Sequence, residues 1–107
     1  MTEFVLAEAA ASIAALPAPT SAAAMFERGM MYACDRTVPA DLVSAHQWFN
    51  LAAMLGCAEA AQLRREIAAE MTDAEIGQAQ RAARDWLKHH PELMQAATPR
   101  PHLQVAA

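Results

Sequence analysis

Residues Ala24–Ala60, AMFERGMMYACDRTVPADLVSAHQWFNLAAMLGCAEA, decide the fold. Small residues (Ala24, Gly29, Ala45, Ala52, Ala53, Gly56, Ala60) alternate with bulky ones (Phe26, Tyr32, Val38, Leu42, Trp48) at helical spacing. Two antiparallel helices pack closely in this way, a large side chain on one entering the gap left by a small one on the other. Cys34-Asp35-Arg36-Thr37 is a polar turn between them. Pro39 stands where a first-turn proline is tolerated, and Asp41 puts negative charge in the same turn. The pattern predicts helices over 22–33 and 39–55. The second turns Leu42, Ala45, Trp48, Phe49 and Ala52 inward and has Gly56 just past its end.

Outward from this hairpin the helical pattern continues. A further helix is expected from Ala58 to about Glu70, anchored by Leu63 and Ile67. Thr72-Asp73-Ala74-Glu75 is a capping box, with Met71 and Ile76 as its hydrophobic staple. It opens a helix from Asp73 to about His89, with Ile76, Ala79, Ala83, Trp86 and Leu87 on one face. Upstream, Thr2–Leu16 reads as an N-terminal helix with Leu6, Ala9, Ile13 and Leu16 on one stripe; the alternative is a frayed tail. Pro17 and Pro19 end it, and Thr20 or Ser21 can cap the next helix. The organisation expected is therefore an N-terminal helix and Pro-containing linker over 1–20, a helical domain over 21–91 and a flexible tail over 92–107.

Composition agrees with an all-α class and narrows the partners. Alanine is about a quarter of the chain, and glycine and β-branched residues are few, which favours helix over strand. At 107 residues one domain with a small core is expected. The formal net charge of -4 gives no electrostatic case for nucleic acid or an anionic membrane. Arg64, Arg65, Arg81 and Arg84 are interleaved with Glu66, Glu70, Glu75 and Asp85, a mixed-charge solvated face. No apolar run approaches the ~20 residues of a membrane span. The apolar N-terminus is a poor signal peptide, because Glu3 replaces a basic leader and Glu8 interrupts the apolar stretch. The expected compartment is the cytoplasm, with reduced thiols.

Candidate chemical sites weigh lightly. Cys34 and Cys57 flank opposite ends of one helix, about 23 Å apart at 1.5 Å per residue, so they are too distant for an intramolecular disulfide. His89 and His90 are adjacent and point about 100° apart, and His46 has no histidine or cysteine three or four positions away. No metal and no cofactor is expected. No Gly-x-Ser-x-Gly or local Cys/His signature supports a nucleophile, so the reading is non-enzymatic. Methionines Met25, Met30 and Met31 serve equally well as core filler or as an adaptable binding surface. Phe49, about 100° around its helix from Trp48, is also a candidate for partner contact.

Position by position, Ala24–Ala60 resembles the Sel-one-like repeat, a short-solenoid relative of the tetratricopeptide repeat. The matching positions are Ala24, Arg28-Gly29, Tyr32, Val38, Asp41, Ala45, Trp48, Ala52-Ala53, Gly56 and Ala60, about a third of the chain. AAEMTDAEIGQAQRAARDWL is similar to the C-terminal part of short bacterial proteins carrying this repeat. The resemblance implies a short right-handed α-solenoid of about two antiparallel helix pairs plus the N-terminal helix, used to hold other proteins. It also makes Trp48 a core tryptophan and brings no catalytic residue. Arg28 departs from the pattern's leucine, and Asp35 and Thr37 replace loop glycines. Arg28 is expected to find a carboxylate or to mark a place where the stack opens. The helices after Gly56 take the second pair's place but have lost most of the pattern, as a terminal capping pair does.

A solenoid normally needs about three repeats to bury its apolar faces. With fewer, either the terminal helices seal the stack or the open faces pair between chains. The functional expectation is a protein-interaction module that self-associates, most simply as a dimer. The alternative is a structural or regulatory subunit stable only inside a larger assembly. The binding surface is placed on Met25, Arg28 and Met31 together with Gln62 and Arg65, where the arginines suit an acidic peptide or a C-terminal carboxylate.

Overall fold

The computed structural model describes residues 13, 15–34 and 41–93. The fold is all-α: among the described residues there are four helices and no strand. They are α1 (Ala22–Cys34), α2 (Leu42–Met54), α3 (Ala58–Ala68) and α4 (Asp73–Lys88). The expected N-terminal helix, the turn at 35–40 and the tail from 94 lie outside the described residues, apart from helical positions at Ile13 and Ala15.

Four of the helix ends have a local chemical cause. Ser21 caps α1, its Oγ accepting from the Ala24 N–H at 3.1 Å. Asp41 is the N-cap of α2 rather than a first-turn residue, because its carboxylate accepts from both the N–H and the hydroxyl of Ser44. The helix expected from Pro39 accordingly begins at Leu42. At its far end, Cys57 N–H bonds to the Ala52 carbonyl and Gly56 N–H to that of Ala53, the two bonds of a Schellman motif. Gly56 makes that turn with φ at 107°, a backbone conformation that residues with a Cβ resist. The capping box is formed: Glu75 N–H donates to Thr72 Oγ1 at 3.1 Å, and Thr72 N–H donates to Glu75 Oε1 at 2.8 Å.

The core is organised around α2, which packs substantially on α1, α3 and α4. Its Ala45, Phe49, Leu51 and Ala52 are buried almost completely. Close approach to α1 depends on Gly29, where an added Cβ would stand 2.6 Å from the Phe49 ring. Phe49 fills the space left by that missing side chain and tilts against Phe26, ring centroids 5.8 Å apart. The sequence both turned Phe49 inward and offered it for partner contact; at 1% exposure it is interior and unavailable to a partner, because it fills the gap at Gly29. On the other side of α2, Ala60 from α3 and Ala83 and Leu87 from α4 join the same core. No comparable packing links α3 with α4 or α1 with α3; each of these helices meets the rest chiefly through α2.

Packing continues beyond α4. His90 and Leu93 N–H groups bond to the carbonyls of Leu87 and His90, and Leu93 is buried in the core. Leu93, expected in a flexible tail, is therefore part of the core.

Candidate functional site

The 3.6-residue period divides α1 into two stripes. Met25, Arg28, Gly29 and Tyr32 lie at i, i+3, i+4 and i+7 and turn toward α2. Glu27, Met30, Met31 and Cys34 repeat the same spacing on the other side. Gly29 sets the orientation, since it must face Phe49. Glu27 and Cys34 are exposed, Met30 and Met31 are half-buried, and together the four line a shallow groove open to solvent.

Two residues expected on a binding surface are interior. Met25 has no exposed surface, and Arg28 is 9% exposed. Both lie on the stripe that Gly29 commits to α2, whereas Met31 is about 120° around the helix from Met25. Neither a carboxylate nor an opened stack explains Arg28 among the described residues. Its Nη2 donates to the Pro17 carbonyl at 2.6 Å, and its guanidinium lies 5.4 Å from the centre of the Trp48 ring. The first contact satisfies a buried donor, and the second is a cation–π interaction worth on the order of 0.5–2 kcal/mol. Arg28 thereby fastens the Pro17–Thr20 segment to the helical core and is committed internally. Of the remaining expected residues, Met31 lies on the groove, while Gln62 and Arg65 are exposed on α3. Gln62 Nε2 reaches Glu66 Oε2 at 3.3 Å. With Met25 and Arg28 interior, these five residues do not form one exposed surface.

The structural positions fare differently. Gly29, Ala45, Trp48, Ala52 and Ala60 are buried, Ala24 and Tyr32 are half-buried, and Gly56 is the exposed turn residue. Trp48 stands edge-on to Trp86, with ring centroids 5.5 Å apart and planes at 76°. Trp86 in turn stacks on His90 at 3.7 Å and 13°. His90 Nδ1 lies 2.8 Å from the Trp86 carbonyl, which fixes the ring over the end of α4. Arg28, Trp48, Trp86 and His90 thus form a continuous ladder across α1, α2 and the end of α4.

One buried titratable group stands apart from that ladder. His46 is 3% exposed, and its Nδ1 has no hydrogen-bond partner among the described residues. Burial chiefly, and then the positive charge of Arg64, holds its pKa below the ordinary 6.5. Arg64 is anchored by donating from Nη1 to Asn50 Oδ1 at 2.6 Å, so a charge from α3 is fixed near a neutral imidazole of α2.

The sequence reading missed the groove because it grouped Met25, Arg28 and Met31. The signal that finds it is the spacing 27/30/31/34 counted from Gly29. Among the described residues, no three His, Cys, Asp or Glu side chains are arranged to hold a metal ion, and no helix is long and apolar enough to cross a membrane. Comparison with protein-family models, with curated proteins and with solved structures finds no match.

Proposed function

We propose that this chain is a non-enzymatic helical module that binds another protein or a second copy of itself. The outer stripe of α1 is its contact surface. The observation that carries this reading is the groove of Glu27, Met30, Met31 and Cys34, an apolar methionine floor with one carboxylate at its side. Methionine side chains are unbranched and polarizable, so they adapt to differently shaped apolar partners. The burial of Ala45, Ala52 and Ala60 supports reading the α1–α2 hairpin as a Sel-one-like unit, whose family role is to hold proteins. Arg28 is not free to receive an acidic peptide, because it is already engaged by Pro17 and Trp48.

Site-specific photocrosslinking in the producing cell tests this surface. A photoreactive phenylalanine analogue at Met31 should give a discrete adduct, and the same analogue at the exposed Arg84 should not. An adduct of doubled mass identifies a dimer, and any other defined mass identifies a separate partner. Crosslinking at Met31 no stronger than at Arg84 would show that the outer stripe of α1 is not the contact surface.

A further inference from the structure

We propose that Arg28 and Trp48 form a recognition site for an extended, proline-containing peptide, and that the chain's own residues 16–20 occupy it. These residues read Leu-Pro-Ala-Pro-Thr, and 17–20 belong to no helix, strand or turn. Their backbone is nevertheless restricted. Each proline fixes its own φ at about −65°, and the helical region is disfavoured for Leu16 and Ala18 by the proline that follows each. Pro17-Ala18-Pro19 is thereby biased to the extended polyproline II form. Arg28 stands about 9 Å along the axis from the start of α1, and the stretch from Pro17 to Ala22 spans about 15 Å when extended. Leading straight away from the helix, Pro17 would lie about 24 Å from Arg28, far beyond the reach of an arginine side chain. The 2.6 Å contact between Arg28 Nη2 and the Pro17 carbonyl therefore requires the segment to turn back beside the first turns of α1. Pro19 is buried by this return, while Leu16, Pro17, Ala18 and Thr20 are exposed.

The two sides are chemically complementary. A guanidinium offers only N–H donors, and proline has no N–H, so Pro17-Ala18-Pro19 presents carbonyl acceptors and only the Ala18 donor. A peptide that is nearly all acceptor thus meets a side chain that is all donor. Arg28 is held for this contact by the Trp48 ring, 5.4 Å from its guanidinium, and Trp48 is backed edge-on by Trp86. Aromatic-lined grooves take proline-rich segments because a peptide that is already extended loses little conformational freedom on docking. Here the buried Pro19 ring is the apolar anchor and the Pro17 carbonyl the polar one. None of these features requires residues 16–20 to be joined covalently to α1. The same sequence on a separate chain fits the site once the resident segment leaves, so that segment acts as a strap keeping the site closed. The site lies on the side of α1 that faces α2 and does not rest on the reading of the outer stripe.

Fluorescence anisotropy with a labelled, end-blocked peptide of residues 15–21, Ala-Leu-Pro-Ala-Pro-Thr-Ser, tests the site, with helicity of every variant followed by circular dichroism. The control is the same peptide with alanine for both prolines. In the wild-type chain the tethered segment competes at an effective concentration on the order of millimolar, so the labelled peptide should bind weakly. Pro17→Ala/Pro19→Ala in the full chain weakens the resident segment, and this variant should bind the peptide roughly tenfold or more tightly. Adding Arg28→Leu should abolish that gain, whereas adding Met31→Ala on the outer stripe should leave it intact. A second measurement needs no variant to fold. Millimolar unlabelled peptide should change the fluorescence of the wild-type chain, whose two tryptophans are Trp48 and Trp86, and the alanine peptide should not. Photocrosslinking at Met31 reports on the outer stripe alone, so the two surfaces can fail separately. Equal binding of the proline and alanine peptides, no gain in the double alanine variant, or a gain that survives Arg28→Leu would overturn the site.

Discussion

Between α1 and α2, contact is made by an aromatic ring against bare backbone: Phe49 lies where Gly29 has no side chain. Across the other side of α2, α3 and α4 are attached by sparser means. α3 contributes Ala60 as its one fully buried residue and the Arg64–Asn50 hydrogen bond, and α4 contributes Ala79, Ala83, Leu87 and the edge of Trp86. A close steric fit fixes one register, because every alternative leaves a clash or a void. Attachment in which no ring is seated against bare backbone specifies register less tightly and leaves more freedom to accommodate change. The two glycines buried or half-buried in helices, Gly29 in α1 and Gly77 in α4, fall on opposite sides of this divide.

Gly29→Ala is the sharpest test on the tightly fitted side. Its Cβ would lie 2.6 Å from two carbon atoms of Phe49, a ring held at 1% exposure with little space to move. Overpacking of this kind costs about 1–3 kcal/mol, outweighing the gain of roughly 0.5–1 kcal/mol expected from replacing a helical glycine. Chemical denaturation should therefore show a lower midpoint. Adding Phe49→Leu should recover part of the loss, giving non-additive energies in a double-mutant cycle. An unchanged midpoint for Gly29→Ala would mean that the hairpin is not held by this fit.

On the α3 side the corresponding test is pH. His46 is neutral and buried in the folded chain, and its folded pKa lies below the unfolded 6.5. Between those two values the unfolded chain binds more protons, so stability falls as pH drops through 6.5 toward the folded pKa. Above 6.5 this contribution is constant. Burial chiefly, and then the charge of Arg64 from α3, opposes protonation, so acid should lower the stability of the packing around His46. Denaturation midpoints measured from about pH 7.5 to about pH 5 should decline, and His46→Leu should flatten the decline over the range where histidines titrate. An equal slope in the variant would show that His46 is not the group responsible.

The legibility of the molecule follows the same divide. Helix ends were readable because they depend on neighbours in sequence: Thr72 with Glu75, Gly56 after α2, Ser21 before α1. The small-large pattern also identified α2 as half of a close hairpin. The surface was read less well. Gly29 orients α1, but that follows only once Phe49 is known to face it, a relation between residues twenty positions apart. Arg28 is a charged residue whose interior partners, a proline carbonyl and an indole face, leave no charge pattern in the sequence. His46 likewise gave no sign of burial, since its surroundings are assembled from α3 as well as from its own helix.

Gly77 completes the comparison with the smallest effect and the opposite sign. It lies inside α4, where glycine forfeits about 0.5–1 kcal/mol relative to alanine through backbone entropy. A Cβ there would come within 3.3 Å only of Arg81 Nη1, the far end of a long, exposed side chain that can swing aside. Gly77→Ala should consequently stabilise the fold by about 0.5–1 kcal/mol and raise the thermal midpoint by a few degrees. The same one-carbon substitution thus destabilises at Gly29 and stabilises at Gly77, because the neighbour is a confined ring in one case and a mobile guanidinium in the other. Destabilisation at Gly77 comparable to that at Gly29 would show that α4 is fitted as closely as α1 and would erase the distinction between the two sides of α2.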